Sequence, residues 1–392
     1  MRKIAFLFIL WIYSTLSVMP QNIDMDSVIK LLKEKYAPDS RVEIFDVEVT
    51  QRKDTVILKG ETTSKPAYEE LILQAGIVSG QVKDSIRLLP GKELGDEIWG
   101  MIYNSVGTLR AEPRYGSELV SQGLLGMPVK ILEKRGGWLR IQTPDKYIGW
   151  MNGSVKVMTR SELQQYLQKP KVIVTSVTTH SLEIPDGDSY PVSDLVAGNM
   201  LEIKDSKGKF YHVDYPDGRK AYVRKSDVAE TAHWLKSVEM TGESIVNTAR
   251  RFMGIPYLWG GTSSKGLDCS GFTKMVYFMH GVILARDASQ QVLSGKLIDV
   301  SGDFSDVRPG DLVFFGSKAT DDNPKERVVH VGIYMGNKRF IHASDYIHIS
   351  SFDPSDADYD EYNTKRYLCS RRILDAVNTD GIEEIYNNGF YQ

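Results

Sequence analysis

Two of the 392 residues are cysteines and seven are histidines, and one small group of them is spaced for nucleophilic chemistry. Cys269 lies in Gly266-Leu267-Asp268-Cys269-Ser270-Gly271-Phe272, after a turn-rich stretch, Pro256-Tyr257-Leu258-Trp259-Gly260-Gly261-Thr262, whose glycines let backbone bend sharply or approach a ligand. Phe272, Met275, Val276 and Met279 then fall on one helical face, so the spacing predicts that Cys269 opens a helix. There the positive end of the helix dipole favours the thiolate, which is the nucleophile. A base is needed, and His330 and His342 sit in runs that read as strands, Val328–Tyr334 and Arg339–Ala343. Met335-Gly336-Asn337-Lys338 supplies a hairpin turn, and a turn centred on Gly336 sets positions 330 and 342 opposite each other, where one ring can orient the other. The remaining histidines have no such partners.

Five motifs run in order over about residues 240 to 372: Tyr257-x-Trp259-Gly260-Gly261, Asp268-Cys269-Ser270-Gly271, Arg286-x-x-Ser289-Gln290-Gln291, Arg308-Pro309-Gly310-Asp311-Leu312 and His330-Val331-Gly332-Ile333-Tyr334. This region resembles the NlpC-type (NlpC/p-sixty) family of papain-like cysteine peptidases that cut bacterial peptidoglycan peptides. The resemblance implies Cys269 as nucleophile, His330 as general base and His342 as the residue that orients it, with Ser289 as a hydroxyl near the substrate.

The elements that must position this group occupy the rest of the chain. A charged Met1-Arg2-Lys3 and the apolar run Ile4–Tyr13 read as a secretory signal peptide over residues 1–20, too short for a membrane span. A net charge of -3 gives no reason to expect a nucleic-acid partner. Two cysteines in an exported protein do not make a disulfide scaffold, and Cys369, in a terminal strand, is expected to be a packed core thiol. Residues 22–98 read as a small module in the order α-β-β-α-β, weakly similar to BON-type envelope domains.

An internal repeat follows. Ser105–Pro113 matches Ser176–Pro185, Leu124–Leu132 matches Leu195–Ile203, and each copy closes with aromatic strands, Trp138–Ile141 and Tyr147–Met151 or Phe210–Asp214 and Lys220–Val223. Short strands at this spacing predict small β-barrels over 100–158 and 171–230, joined by a short helix around Arg160–Gln168. They resemble bacterial Src-homology-three-like barrels. The expected architecture is multidomain α+β: the N-terminal module, two barrels and a papain-like catalytic domain over 238–375.

The first copy has Glu112 and Tyr147, whereas Arg219 or Lys220 falls where Tyr147 aligns. In the γ-D-glutamyl-L-diamino acid endopeptidases (dipeptidyl-peptidase VI type) that this chain resembles, a Glu and a Tyr of the first barrel hold the free amino group of an N-terminal L-alanine. The resemblance places Glu112 and Tyr147 in that role, and an ammonium leaving water needs a carboxylate with further acceptors, which Asp268 and Ser270 can supply. No metal-ligand spacing or phosphate loop occurs, and the acidic run Asp353, Asp356, Asp358, Asp360 reads as a solvated loop. No cofactor or metal is expected. The expected protein is a monomer of the periplasm or cell envelope that hydrolyses the γ-D-glutamyl bond of wall-derived peptides through a thioester. Two alternatives stay open: a noncatalytic wall-peptide-binding protein, and an amidase or acyltransferase acting on another acyl bond.

Overall fold

The computed structural model describes residues 24–52, 54–322 and 324–392, so the expected signal segment lies outside the described residues. The chain forms two compact units, one ending at Leu88 and one over Leu89–Gln392. The first unit runs helix Met25–Tyr36, strands Phe45–Arg52 and Thr55–Thr62, helix Lys65–Val78 and strand Gln81–Leu88. The Asp24 carboxylate caps the first helix, and Ser64 with a proline in the first turn starts the second. The first two strands pair antiparallel and the last two parallel, the second helix providing the crossover. Leu32, Phe45, Val56, Leu58 and Leu71 form its core.

In the second unit the repeat becomes two seven-stranded antiparallel sheets. The first contains Trp99–Ile102, Val106–Arg110, Leu119–Leu124, Pro128–Arg135, Trp138–Gln142, Ile148–Asn152 and Val155–Met158. The second contains Lys171–Val174, Thr178–Leu182, Pro191–Val196, Met200–Lys207, Phe210–Asp214, Lys220–Arg224 and Val228–Glu230. Both have the spatial order seventh, first, fourth, fifth, sixth, second, third. Both also bulge between the fourth and fifth strands, at Ile131/Glu133 and Ile203/Asp205. Gly126 and Gly198 occupy matching left-handed turns at φ +80° and +84°. This corrects the sequence match by one residue. The bulge and the turn glycine place Ile131 on Ile203, Gly126 on Gly198 and Tyr147 on Arg219. Between the sheets, helix Arg160–Leu167 starts at a capping box of Thr159 and Glu162.

The remaining chain packs helices against a six-stranded antiparallel sheet. Its strands lie in the order Lys296–Asp299, Tyr367–Arg372, Leu312–Ser317, Arg327–Gly336, Arg339–Ser344, Tyr346–Ser351. Helix Cys269–Phe278 lays Phe272, Met275 and Val276 on a core with Phe314, Val331, Ile333 and Ile341, and that core continues without a break into Leu124 and Met127 of the first sheet. Cys369 is buried opposite Phe314, as a packed thiol.

The hairpin register differs from the expected one. Asn337 and Lys338 form the tight turn, both at positive φ (52° and 58°), and a bulge at Met335 sets Tyr334 opposite Phe340 and Ile333 opposite Ile341. His342 therefore faces Gly332 rather than His330. A Cβ on Gly332 would lie 3.2 Å from that of His342. The glycine leaves room for the two imidazoles to meet diagonally.

Candidate active site

Asp268 has extended backbone and caps the helix that Cys269 opens, accepting the Gly271 N–H at 2.7 Å. Gly271 has to be glycine, because a Cβ there would stand 2.0 Å from the Gly261 carbonyl oxygen. The helix start is thus pressed onto the Gly260-Gly261 turn, whose Gly260 N–H donates to Asp268 Oδ2 at 3.0 Å. Arg286, which is fully buried, forks the same carboxylate, with Nη1 3.1 Å from Oδ1 and Nη2 on Oδ2. Its Nη1 also donates to Ser270 Oγ at 3.0 Å. Asp268 and Ser270, expected to receive a substrate amine, also have internal partners that stiffen the turn carrying Cys269.

Helix Cys269–Phe278 packs against strand Arg327–Gly336, which carries His330. His330 Nε2 lies 2.8 Å from His342 Nδ1, and His342 Nε2 lies 3.1 Å from Ser350 Oγ. His342 and Ser350 are buried, so the ring that orients His330 is itself held by a hydroxyl. With Nε2 committed to His342, the Nδ1 of His330 is left for a proton from another group.

The electrostatics reverse the expectation from the helix dipole. Burial pushes the Cys269 thiol up to about 12, and the Asp268 carboxylate adds to this, while the backbone N–H groups of Val331 and Ser270 pull the other way. Burial also pushes His330 down to about 4, helped by the positive charge of Arg366, and His342 lies well below its ordinary value, chiefly through burial. Both shifts act against a separated thiolate and imidazolium.

The other expected residues divide. Tyr147 is buried and donates its hydroxyl hydrogen to Asp287 Oδ2 at 3.3 Å, and Asp287 in turn lies 3.7 Å from Arg286. A hydrogen bond and two ion pairs thus join the first sheet to the start of the Cys269 helix. Glu112 is not brought into it. Its carboxylate is 60% exposed and pairs with Arg114 at 2.7 Å, because the turn after Val106–Arg110 supplies its own cation two residues on. Ser289 is half-buried in the short helix Ala288–Gln291.

Three participants went unassigned in the sequence. Arg286 stands inside a quoted motif, but only the fold reveals its fork to Asp268. Ser350 shows no signal beyond its place in a strand. Tyr257 is half-buried, and burial together with the charges of Cys269 and Asp268 raises its hydroxyl.

Residues 254–372 match the pattern of the NlpC/P60 family, and residues 109–154 match the bacterial dipeptidyl-peptidase Sh3 domain. The chain is 31% identical over 235 residues to a gamma-D-glutamyl-L-lysine dipeptidyl-peptidase of Bacillus cereus, covering 58% of this chain and 68% of that protein. It is 30% identical over 265 residues to dipeptidyl-peptidase 6 of Lysinibacillus sphaericus, covering 63% and 89%. The crystal structure of an NlpC/P60 family protein from Bacillus cereus superposes with a TM-score of 0.59 at 25% identity, over 70% of this chain and 99% of that one.

Proposed function

Because the chain belongs to the NlpC/P60 family of cysteine peptidases, we propose that it hydrolyses the γ-D-glutamyl amide of peptidoglycan-derived peptides with a free N-terminal L-alanine, releasing a diamino acid or the remaining peptide. The observation that carries this reading is the contact at 2.8 Å between His330, on the strand packed against the helix that Cys269 opens, and the buried His342. The names of the two relatives support the substrate class.

Cys269 attacks the γ-carbonyl carbon while its thiol proton passes to His330 Nδ1. Attack and transfer are coupled, since neither charged form is favoured at rest. For His330 to be the base, its Nε2–H donates to His342 Nδ1 and the His342 Nε2–H donates to Ser350 Oγ. The developing oxyanion meets the Cys269 N–H, one of the first-turn donors that a helix leaves unused, and the Tyr257 hydroxyl. The protonated His330 then gives its proton to the departing amine, and the thioester carbon is attacked by water that His330 deprotonates.

At the acyl end, Tyr147 and Asp287 offer a hydroxyl and a carboxylate to the L-alanine ammonium, and Glu112 joins them by exchanging Arg114 for that ammonium. We read the chain as an exported monomer of the cell envelope, with modules at 22–98, 100–158, 171–230 and 238–375 behind a leader at 1–20. Among the described residues no helix is long and apolar enough to cross a membrane.

Mass spectrometry of L-Ala-γ-D-Glu-diaminopimelate, its N-acetylated form and the Cys269→Ala protein tests the proposal. Cleavage of the free-amine peptide alone, lost in the variant, is the expected result. Cleavage of both peptides removes the amine-binding end, and cleavage of neither removes the reaction.

A further inference from the structure

Arg366 is a cation without an anion. Among the described residues no carboxylate lies within ion-pair distance of it, whereas Arg339 forks Asp356 at 2.7 Å, Lys365 holds Glu361 at 2.7 Å and Arg372 holds Asp311 at 2.9 Å. Its guanidinium instead lies 4.2 Å over the ring of Tyr362 and donates to the Tyr362 hydroxyl, while its Nε is buried with no hydrogen-bond partner. Tyr362 is exposed. A half-buried guanidinium held over an exposed aromatic ring, with no carboxylate of the chain beside it, can take one from outside the chain.

Its place in the sheet says which carboxylate. The Arg366 carbonyl accepts the Gly316 N–H at 2.9 Å, and the adjacent Phe315 pairs with Tyr367 on one side and with His330 on the other. Arg366 therefore begins two strand spacings, about 10 Å, from the His330 backbone, and its charge acts on that imidazole. The charges of Asp360, His348 and Asp268 also act there, and Asp360 is committed to capping helix Glu361–Lys365 through the N–H and side-chain amide of Asn363, at 2.9 and 2.6 Å. Arg286 is tied to Asp268, on the nucleophile's side. Arg366 belongs to the histidine's side, where the amine leaves. In a γ-glutamyl diamino acid the departing nitrogen and a carboxylate share one carbon atom.

We propose that Arg366, supported by Tyr362, binds the α-carboxylate of the leaving diamino acid. This rests on the reaction proposed above and adds a requirement at the opposite end of the substrate. A peptide whose diamino acid ends in a free carboxylate is preferred to one in which that carboxylate is an amide or is extended by another residue.

The test compares L-Ala-γ-D-Glu-L-Lys with its C-terminal amide, using the wild-type protein, Arg366→Gln and Arg366→Lys. The wild type is expected to favour the acid by on the order of tenfold to a hundredfold in kcat/KM, mostly through KM, as a charge-assisted hydrogen bond warrants. Arg366→Gln should turn over the two peptides equally, and Arg366→Lys should keep part of the preference. Equal turnover by the wild type overturns the proposal, as does a preference that survives in Arg366→Gln. If Arg366→Gln slows both peptides alike and moves the acid limb of the pH profile, Arg366 acts only through His330, and the proposal fails. Should the wild type cut neither peptide, the proposed reaction fails, and binding to Cys269→Ala judges this site separately. Acid bound no more tightly than amide would then overturn it.

Discussion

The two seven-stranded sheets share strand order, bulge and turn glycine, yet matching side chains point their interactions in different directions. In the first sheet the turn between the fifth and sixth strands faces the catalytic part. Asp145 meets Lys274 of the Cys269 helix at 2.8 Å with both groups largely buried, and Tyr147 reaches Asp287. Gln122 receives the Thr262 N–H and the Ser263 hydroxyl, each at 2.9 Å. In the second sheet the matching aspartate, Asp217, pairs with Arg219 of its own turn at 2.7 Å, and Arg219 donates to the Tyr103 carbonyl of the first sheet. Asp194, at the position of Gln122, holds Ser105 and Lys265. One copy is wired to the Cys269 helix, and the other braces the first copy and the Ser264-Lys265 turn. The backbone of a duplicated module can persist while a few turn residues decide whether it serves a site or a scaffold.

The strongest way to break this contrast is Lys274→Met. Burial alone would push Asp145 up, but the charge and hydrogen bond of Lys274 outweigh it and hold the carboxyl below the usual range. Removing the lysine strands a buried charge, at an expected cost of about 3–5 kcal/mol at neutral pH, read by denaturant unfolding. The sign with pH follows. In the wild type the lowered Asp145 contributes stability above the ordinary carboxylate value and loses it as pH falls through the folded value. In the variant burial raises Asp145, which takes up a proton earlier, so the deficit shrinks on acidification. A deficit that stays constant with pH would mean that lost packing, not the charge, is responsible.

Tyr147→Phe probes the wiring with less damage. The proposed role at the acyl end predicts a fall of about tenfold in kcat/KM for the free-amine peptide, the worth of one hydrogen bond to charged groups, with little change in melting temperature. The N-acetylated peptide should stay uncleaved by both proteins. Unaltered kinetics for the free-amine peptide would make the first sheet a brace like the second, and the contrast would reduce to one of contact partners.

The sequence reveals these elements unevenly, for physical reasons. The helix start at Cys269 and the strands around His330 and His342 are local patterns, set by an apolar face and by turn residues, and they form where expected. The pairing of the two histidines is local only in part. A one-residue bulge at Met335 shifts the register, and the rings meet because Gly332 leaves space, which alternation along a strand does not encode. The repeat was likewise legible to within one residue, because its bulges are invisible to a residue-by-residue match. Charge placement was least legible. The sequence does not show that Arg286, eighteen positions away, forks Asp268, or that Glu112 pairs with a cation two residues along its own turn. The thiol's ionisation depends on burial, which a helix-start motif leaves out.

The smallest expected effect is the sharpest control. Arg219 occupies the position of Tyr147 and has three interactions: the ion pair with Asp217, the bond to the Tyr103 carbonyl at 2.7 Å, and a face-on approach of 4.3 Å to the Tyr215 ring. Its side chain is one-third exposed, so water can replace the guanidinium at both polar partners. Arg219→Ala should therefore cost under about 1 kcal/mol in unfolding and leave kcat/KM of the free-amine peptide at the wild-type value. Part of the loss should vanish in high salt, which screens the Asp217 pair but not the aromatic contact. If Arg219→Ala slowed cleavage as much as Tyr147→Phe, the second sheet would be coupled to the Cys269 helix through the first. Matching positions in the two copies would then act in series rather than serve separate ends.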